Sequence, residues 1–437
     1  MIRQSTPPMF VEAVDKLRAA WPEPKSPYRL SLSANTFGTA EIAAALEALV
    51  RGPMTMGPRV NAFERAFADA HGAVDAVFCN SGSSANLLAV AALTRMRAPD
   101  GKPVLQPGDE VIVPAVTWST TLWPVAQVGA VPVLADVSPE TLNLTLETVK
   151  RALSPKTRAI FAVHLLGNPA PVDALRDLCA ERGLTLIEDV CEALDARLPG
   201  GPAGTFGCMG TFSFYFSHHI CTIEGGMVVC NDPELADHLR VLRAHGWTRH
   251  LSPERRAREE AASPDIDPRF LFVDQGYNLR PTDVQAAIGL VQFDRRLEFL
   301  KRRREVAAVW MALRDELSAL FEPIRFEPGA SHFALPMLLR PDAPPRQVLF
   351  DWLEANGVET RPLVAGNLAR QPALAHMAHR IAGPLPGADA LHERGLYLGI
   401  HPNQSDADIA WLGEVLRAFA QRTATKVRTA DGARMAS

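Results

Sequence analysis

The sequence feature that most constrains the fold is a regular alternation of short apolar segments with helix-length segments from Asp75 onward. This alternation is typical of a mainly parallel sheet covered by helices on both faces, because each strand returns to the sheet through a helix. We therefore predict an α/β fold. The predicted strands are residues 76–79, 110–113, 131–135, 159–163, 185–188, 211–216 and 227–230, and the intervening helices begin at Ser83, Thr120, Leu146, Val172 and Pro233.

Segments outside this region indicate further units. A charged, proline-containing segment at residues 248–274 is predicted to be a surface excursion or a lid. A second unit is predicted to contain a strand at 331–339 and helices at 345–356 and 406–421. The expected organisation is a proline-rich N-terminal arm at 1–34, a large domain at 35–315, a smaller α+β C-terminal domain at 316–425, and a polar tail at 426–437.

The composition narrows the functional class. The chain has 437 residues, 47% of them hydrophobic, and a net charge of −4 without a polybasic run, so we expect neither nucleic acid nor membrane as a partner. Its six cysteines form no C-x-x-C pair, so no metal site is expected. The first ten residues do not resemble a signal peptide, which predicts reduced thiols and a cytoplasmic location.

Polar residues follow the predicted strands where each one ends. They are Asn80-Ser-Gly-Ser-Ser84, Pro114-Ala-Val-Thr-Trp118, His164, Glu188-Asp189 and Ser217-His218. The carboxyl ends of parallel strands meet at one edge of a sheet, and ligands bind there. The sequence therefore predicts a single site at this edge.

Each of these groups, taken alone, has more than one interpretation. The segment beginning at Asn80 is either a phosphate site at a helix N-terminus or a plain capped turn. The acidic pair Glu188-Asp189 suits a ribose, a metal or a ring nitrogen. Trp118 is either a core residue or a stacking platform for a flat ligand. The pair His218-His219 is either structural or catalytic.

Several segments together resemble the DegT/DnrJ/EryC1/StrS nucleotide-sugar aminotransferase family, a branch of the fold type I pyridoxal-phosphate enzymes. The resemblance covers roughly residues 30–420 and implies that fold, with dimers that share their active sites. The segments are Met56-Gly-Pro-Arg-Val60, Asn80-Ser-Gly-Ser-Ser-Ala-Asn-Leu-Leu88, Val116-Thr-Trp-Ser119, Glu188-Asp189, Phe212-Ser-Phe-Tyr215, Glu224-Gly-Gly-Met227 and Gly276-Tyr-Asn-Leu-Arg280.

The resemblance implies a pyridoxal 5'-phosphate site and a role for each matching residue. Asp189 would pair with the pyridine nitrogen, which makes the ring an electron sink, and Trp118 would stack on the ring. Glu192 occupies the position where most members carry Gln or His beside the cofactor hydroxyl. The cofactor phosphate would be held by Gly82, Ser83, Ser213 and, from the other subunit, Asn278.

One departure from the family pattern decides the expected chemistry. The family's aminotransferases carry a lysine five residues after the phosphate-binding serine, and this chain has His218 there. No lysine occurs between Lys156 and Lys301, so no neighbour supplies the covalent link to the cofactor. An imidazole remains available as a general base. The histidine and Glu192 together resemble the family's sugar 3-dehydratases, as does the segment from Arg361 to Asn367.

The 3-dehydratase resemblance implies a reaction. One branch of that subgroup carries a cysteine-ligated iron–sulfur cluster, but residues 231–437 contain no cysteine, so we expect the cluster-free branch. L-glutamate would convert pyridoxal phosphate to pyridoxamine phosphate. His218 would then act as the base while the C3 hydroxyl leaves a 4-keto-6-deoxy nucleotide sugar, in deoxysugar biosynthesis for lipopolysaccharide O-antigen.

Two alternatives remain open at this point. One is a nucleotide-sugar aminotransferase with an unusual base, and the other is a cofactor-binding regulator or pseudoenzyme. The second is disfavoured because Asp189, Trp118 and Ser213 are intact.

Four further residues, His219, His245, Arg249 and Arg361, are candidates for binding the substrate. For His219 a structural role is the favoured alternative, since neighbours on a strand or tight turn point apart. His245 and Arg249 lie in the predicted lid region, and Arg361 in the second unit. Each of these three either touches the sugar diphosphate or lies on the solvated surface.

Overall fold

The computed structural model describes residues 6–21 and 26–435, with side chains as far as Thr423. Its strands are β1 (Asp75–Cys79), β2 (Glu110–Pro114), β3 (Val131–Ala135), β4 (Thr157–Val163), β5 (Thr185–Asp189), β6 (Arg197–Leu198), β7 (Gly201–Pro202), β8 (Met209–Ser213), β9 (Gly226–Cys230), β10 (Phe321–Glu322), β11 (Ala334–Leu339), β12 (Thr360–Pro362), β13 (Arg380–Ile381) and β14 (Gly395–Gly399).

The α-helices of the described residues connect and cover these strands. They are α1 (Pro8–Ala20), α2 (Thr39–Arg51), α3 (Pro58–His71), α4 (Gly82–Leu93), α5 (Ser119–Gln127), α6 (Leu146–Ala152), α7 (Val172–Arg182), α8 (Pro233–Arg243), α9 (Pro253–Ala262), α10 (Asp283–Glu316), α11 (Arg346–Ala355), α12 (Pro386–Arg394) and α13 (Asp406–Met435).

The central sheet has eight strands in the order β1-β9-β8-β5-β4-β2-β3-β13. Neighbours from β8 to β13 pair in parallel, whereas β9 runs antiparallel to both β8 and β1. Strands such as β2 are buried along their whole length, as expected when helices cover both faces of a sheet. The predicted mainly parallel sheet flanked by helices is confirmed.

A smaller antiparallel sheet follows in the order β10-β11-β14-β12. Its apolar face forms a second core with the C-terminal half of α10 and with α13, where Trp310, Leu353 and Phe419 are buried. The predicted smaller α+β unit is thereby confirmed. Strand β13 lies between β12 and β14 in the chain but pairs with β3 at the edge of the central sheet. There Arg380 donates two hydrogen bonds to Glu110, at 2.9 and 2.7 Å.

Several local predictions need correction. The strand predicted at 211–216 is β8, which begins at Met209 and ends at Ser213. The amide of Phe214 still donates to Gly225 O in the ladder with β9, but its carbonyl accepts from the amide of Thr222, so the pairing stops there. The helix starts predicted at Ser83 and Thr120 are each one residue late, and those at Leu146, Val172 and Pro233 are confirmed.

The two termini also differ from expectation. The predicted arm contains α1, whose first residue is Pro8. Proline is well suited to the first turn of a helix, because its fixed φ matches the helix and the amide hydrogen that it lacks would have no partner there. Leu30, also in that arm, forms a β-bridge with Val358 and belongs to the second core. The last helix continues to Met435, through most of the predicted tail.

The segment at 248–274 lies at the surface, in agreement with the predicted excursion. Helix α9 within it has no buried residue, and its ion pairs Arg255–Glu259 and Arg256–Glu260 have the i,i+4 spacing of a solvated helix. Within residues 6–21 and 26–435, no helix combines the length and the apolar character that crossing a bilayer requires.

Candidate active site

A cavity of about 500 Å³ opens at the carboxyl edge of β4, β5 and β8. This is the edge at which ligands bind in parallel sheets. Eight of the residues predicted from the sequence line it, namely Gly82, Ser83, Trp118, Asp189, Glu192, Ser213, His218 and Arg361. The structure therefore brings most of the predicted residues together in one place.

The start of α4 and the end of β8 form one wall of this cavity. Ser81 caps the helix by accepting a hydrogen bond from the amide of Ser84 at 3.1 Å. A Cβ added at Gly82 would lie 2.4 Å from the Cβ of Ser213, so only glycine allows the helix to approach the strand this closely. The resulting cradle combines a helix N-terminus with the hydroxyls of Ser83 and Ser213, which suits a phosphate group.

The carboxylate of Asp189 is fixed at the end of β5. One oxygen accepts hydrogen bonds from Asn86 Nδ2 and Thr121 Oγ1, both at 2.8 Å, and the other accepts from the amide of Cys191 at 3.1 Å. Asn86 is itself held by the hydroxyl of Thr211 at 2.6 Å. These three donors fix the orientation of the carboxylate, which lines the cavity where it can pair with a protonated ring nitrogen.

Glu188 points away from the cavity, because successive side chains of a strand lie on opposite faces. It is fully buried and pairs with His164 Nε2 at 3.1 Å. Its remaining bonds come from the amides of Gly204, Phe206 and Gly207, at 2.8, 2.7 and 2.7 Å. Of the acidic pair, Asp189 alone lines the site, while Glu188 anchors the loop behind it.

His218 lies in the turn after β8 and is half-buried. Its Nδ1 is sealed and has no hydrogen-bond partner among the described residues. The ring of Phe333 meets it edge-on, with 5.0 Å between ring centroids. Burial, with a smaller contribution from the charge of Arg303, lowers the pKa of His218 to about 3, so the imidazole is neutral at physiological pH and able to accept a proton.

His219 faces away from the cavity. It is 4% exposed and does not line the cavity. Its Nε2 contacts the carbonyl oxygen of Ser331 at 3.0 Å and the hydroxyl of Ser331 at 3.1 Å. Burial lowers the pKa of His219 well below its usual value, so this ring is also neutral.

Glu192 extends from the turn after β5 into the cavity wall. One of its oxygens accepts a hydrogen bond from the amide of Leu166 at 2.8 Å. Burial, and to a smaller extent the charge of Asp189, raises the pKa of Glu192 to about 7. The carboxyl group therefore changes between neutral and charged forms near physiological pH.

Besides His219, three predicted residues lie outside the cavity lining, namely Asn278, His245 and Arg249. The side-chain oxygen of Asn278 accepts a hydrogen bond from Arg280 at 3.0 Å. His245 has a positive φ of 64°, and its amide donates to Tyr277 O at 2.7 Å. Arg249 packs over the ring of Trp247, 5.0 Å from its centroid.

Some lining residues were missed by the sequence analysis. Phe333, Pro362, Val364 and Tyr397 reach the cavity from the small unit. All four lie more than a hundred residues after β8. Pro362 and Val364 belong to the segment from Arg361 to Asn367, but no local motif marks Phe333 or Tyr397, so the sequence offers no signal for the position of these two. Arg361, which was predicted, comes from the same side and pairs with Glu359 at 3.1 Å.

These features fit pyridoxal phosphate. The cradle at Gly82 suits its phosphate, Asp189 its ring nitrogen, and Trp118, which is 59% exposed, offers a free aromatic face. The fold and the site thus define a fold type I pyridoxal-phosphate enzyme. The chain belongs to the DegT/DnrJ/EryC1/StrS aminotransferase family, whose model matches residues 35–417, and the predicted family is confirmed.

Individual relatives agree with the predicted class of enzyme. GDP-4-keto-6-deoxy-D-mannose 3-dehydratase of Yersinia pseudotuberculosis is 38% identical over 389 residues, which cover 88% of this chain and 98% of the relative. The solved structure of the Escherichia coli enzyme of that name, with bound hydrated pyridoxal phosphate, has a TM-score of 0.82 at 35% identity and covers 89% of this chain and 99% of its own.

A further structure of GDP-4-keto-6-deoxymannose-3-dehydratase contains a trapped geminal diamine of pyridoxal phosphate and glutamate. It has a TM-score of 0.81 at 35% identity and covers 89% of this chain and 100% of its own.

Proposed function

We propose that this chain is a pyridoxal/pyridoxamine-phosphate-dependent 3-dehydratase that acts on a 4-keto-6-deoxy nucleotide sugar, with L-glutamate as amine donor. The observation that carries the proposal is the neutral imidazole of His218 in the cavity, where the family's aminotransferases have a lysine. Relatives named for GDP-4-keto-6-deoxy-D-mannose make this GDP sugar the first candidate substrate. The product would be a 3-deoxy-4-keto sugar for lipopolysaccharide O-antigen.

The residues of this chain have separate tasks in binding the cofactor. When bound, the cofactor supplies an electron sink that allows the C3 hydroxyl of the sugar to leave. Asp189 would hold the proton on the ring nitrogen, and Trp118 would cover one face of the ring. Glu192 would interact with the cofactor hydroxyl. Gly82, Ser83 and Ser213 would bind the phosphate.

His218 moves the proton. Because Nδ1 is sealed, Nε2 would be the nitrogen of His218 that takes up the proton, and the bound cofactor would supply the acidic carbon that it leaves. The imidazolium formed is a strong acid in this desolvated place, since the pKa of His218 is lowered to about 3. It therefore gives the proton to the departing C3 hydroxyl, which leaves as water.

The small unit and the surface excursion supply candidate groups for the nucleotide end of the substrate. Arg361 lines the cavity and would pair with the sugar diphosphate. His245 and Arg249 would reach it from the segment that precedes α9.

Two half-reactions test the proposed function. Purified protein with pyridoxal phosphate and L-glutamate should convert the absorbance of the aldehyde form to that of the amine form. Adding GDP-4-keto-6-deoxy-D-mannose should then release ammonia and a 3-deoxy-4-keto product. An amino sugar found by mass spectrometry would show an aminotransferase instead, and no absorbance change with glutamate would show a protein that only binds the cofactor.

We also infer a cytoplasmic homodimer with shared active sites. Asn278 lies outside the cavity of its own subunit, which supports a role at the partner's phosphate. Six free cysteines support a reducing compartment. Cell fractionation tests the location, and enzyme recovered with the membrane or periplasmic fraction would contradict it.

Subunit mixing tests the shared site. The variants His218→Asn and Asn278→Ala should each be nearly inactive alone. In a mixed dimer one site carries both defects and the other neither, so mixing by mild denaturation and refolding should restore about a quarter of wild-type activity. Mixing two samples of the same variant is the control. A mixture no more active than its components would contradict the shared site.

A further inference from the structure

His219 is the one member of the histidine pair that the proposed chemistry does not use, yet its contacts are specific. The hydroxyl of Ser331 donates its hydrogen to Leu194 O, so towards His219 it acts as an acceptor. The carbonyl of Ser331 is an acceptor as well. The Nε2 of His219 therefore carries the hydrogen and donates it to both oxygens, and the ring is fixed in a single tautomer.

The other side of Ser331 is equally constrained. Its amide donates to Gly167 O at 2.9 Å, and the amide of Phe333 donates to Leu166 O at 3.1 Å. A Cβ added at Gly167 would lie 1.8 Å from Ser331 O, so the two backbones are in direct contact. Residues 331–333, which we call the 331–333 strip, are thus held between His219 and the turn after β4.

The 331–333 strip in turn limits the space around the base. The Phe333 ring lies 5.0 Å from the His218 ring and 5.8 Å from the His219 ring, and it lines the cavity. The guanidinium of Arg303 connects the 331–333 strip to Ile400, because it donates to Phe333 O at 3.1 Å and to Ile400 O at 2.6 Å. Any movement of the strip would change both the position of His218 and its exposure to water.

We propose that His219 is a positioning residue for the base, acting through its N–H bond to Ser331 to hold the strip that seals one side of His218. This inference rests on the proposed role of His218. Without the N–H, the carbonyl of Ser331 is left buried and unsatisfied, which favours a shifted strip that water can solvate. Small misplacements of a catalytic group cost large factors in rate.

The test compares three variants in the cofactor-loaded enzyme. His219→Phe keeps a ring but removes the donor, and His219→Gln restores an N–H near the position of Nε2. His71→Phe is the matched control, because His71 is also buried and bonded to a backbone carbonyl, at 2.9 Å, but lies outside the cavity. We expect His219→Phe to lower kcat about 10-fold or more with KM changed less than about twofold, and His219→Gln to recover most of this loss.

An independent readout needs no turnover. In NMR titrations of histidine-labelled protein, with the His218 signal assigned from its loss in His218→Asn, wild-type His218 should stay neutral down to about pH 4 because its pKa is lowered to about 3. His219→Phe should raise this pKa towards the usual value of about 6.5. His71→Phe should leave it unchanged.

Three results would overturn the proposal. The first is a His219→Phe enzyme with unchanged kcat and unchanged His218 titration. The second is a loss of kcat with only a lower Tm and an unchanged titration, which would make His219 merely structural. The third is a failure of His219→Gln to recover activity. If His219→Phe does not fold, His219→Leu, which also removes the donor to Ser331 O, should shift the titration in the same direction and decide the question.

The glutamate half-reaction keeps this test separate from the proposed function. If wild-type protein fails to convert its cofactor with glutamate, the proposed function is wrong, whatever the NMR titrations show.

Discussion

His218 and Glu192 line the same cavity, and burial shifts the pKa of each towards its neutral form, to about 3 and about 7. Asp189 differs from both, because three hydrogen-bond donors converge on its carboxylate. The cavity therefore combines a carboxylate fixed by hydrogen bonds with a neutral imidazole.

The replacement His218→Lys tests the role of the imidazole. A lysine amine at this position should form a covalent bond to the cofactor aldehyde, and dehydration should then stop because the neutral base is lost. Mass spectrometry after borohydride reduction should detect the cofactor attached to residue 218. Retained dehydration activity in this variant would contradict the role of His218 as the base.

Glu192→Gln tests the raised pKa of the carboxyl group. The pKa of Glu192 is raised from 4.5 in the unfolded chain to about 7 in the folded protein. Between these pH values the folded protein binds more protons than the unfolded chain, so the folded state loses stability as the pH rises from 4.5 to 7. Above pH 7 this loss is complete. Glutamine removes this cost and keeps an acceptor for the amide of Leu166. Denaturant unfolding should show a gain of about 1 to 2 kcal/mol at pH 8 and little change at pH 4. Equal effects at both pH values would contradict the assignment.

Among the elements, α4 and β8 depend on each other through one glycine. Gly82→Ala should push the helix away from Ser213 and open the cradle, because the added Cβ would lie 2.4 Å from the Cβ of Ser213. We expect a loss of about 1 to 3 kcal/mol in stability and weaker cofactor binding, measured by equilibrium dialysis.

Gly413→Ala is the matched control for this substitution. It lies in α13, where the added Cβ would lie 3.1 Å from the Arg417 guanidinium and 3.5 Å from the Leu313 side chain, with no backbone in the way, so stability should be unchanged or higher by about 1 kcal/mol. Unchanged cofactor affinity in Gly82→Ala would contradict the phosphate cradle.

The elements also show what the sequence does and does not reveal. Strands such as β2 and β4 were predictable because both faces are buried and the apolar runs are continuous. The end of β8 was not, since Phe214 and Phe216 extend the alternating pattern after the backbone has turned. The insertion of β9 between β1 and β8 was also unpredictable, because strand order depends on long-range pairing.

At the scale of the whole molecule, the sequence predicts the part of the site that the large unit supplies more completely than the part that the small unit supplies. Strand ends and family motifs led to Asp189 and His218, and a family segment led to Arg361, whereas Phe333 and Tyr397 approach from the small unit without any such signal. The position of these residues in the site depends on how the two units pack together. Hydrophobic periodicity predicts single strands and helices, and it carries no information about the packing of one unit against another.

The stability of the whole molecule should fall in mild acid. Burial lowers the pKa of His332 and of His401 to about 4, so between pH 6.5 and 4 the unfolded chain binds protons that the folded protein does not. Each should cost about 1 to 3 kcal/mol of unfolding free energy over this range. The double variant His332→Phe/His401→Phe should flatten the pH dependence, while His376→Phe, at an exposed position, should not. Equal slopes for the wild type and the double variant would contradict this.

The antiparallel course of β9 has a consequence for the base. Since β8 ends and β9 begins at the same edge, residues 214–225 leave the sheet and re-enter it side by side, with Phe214 N bonded to Gly225 O at 2.8 Å. His218 is therefore carried by a closed loop rather than by a free connection, and most of its conformational freedom is lost on folding. Adding or deleting a single residue within residues 214–225 would leave β8 and β9 intact, but the imidazole of His218 would no longer point into the cavity.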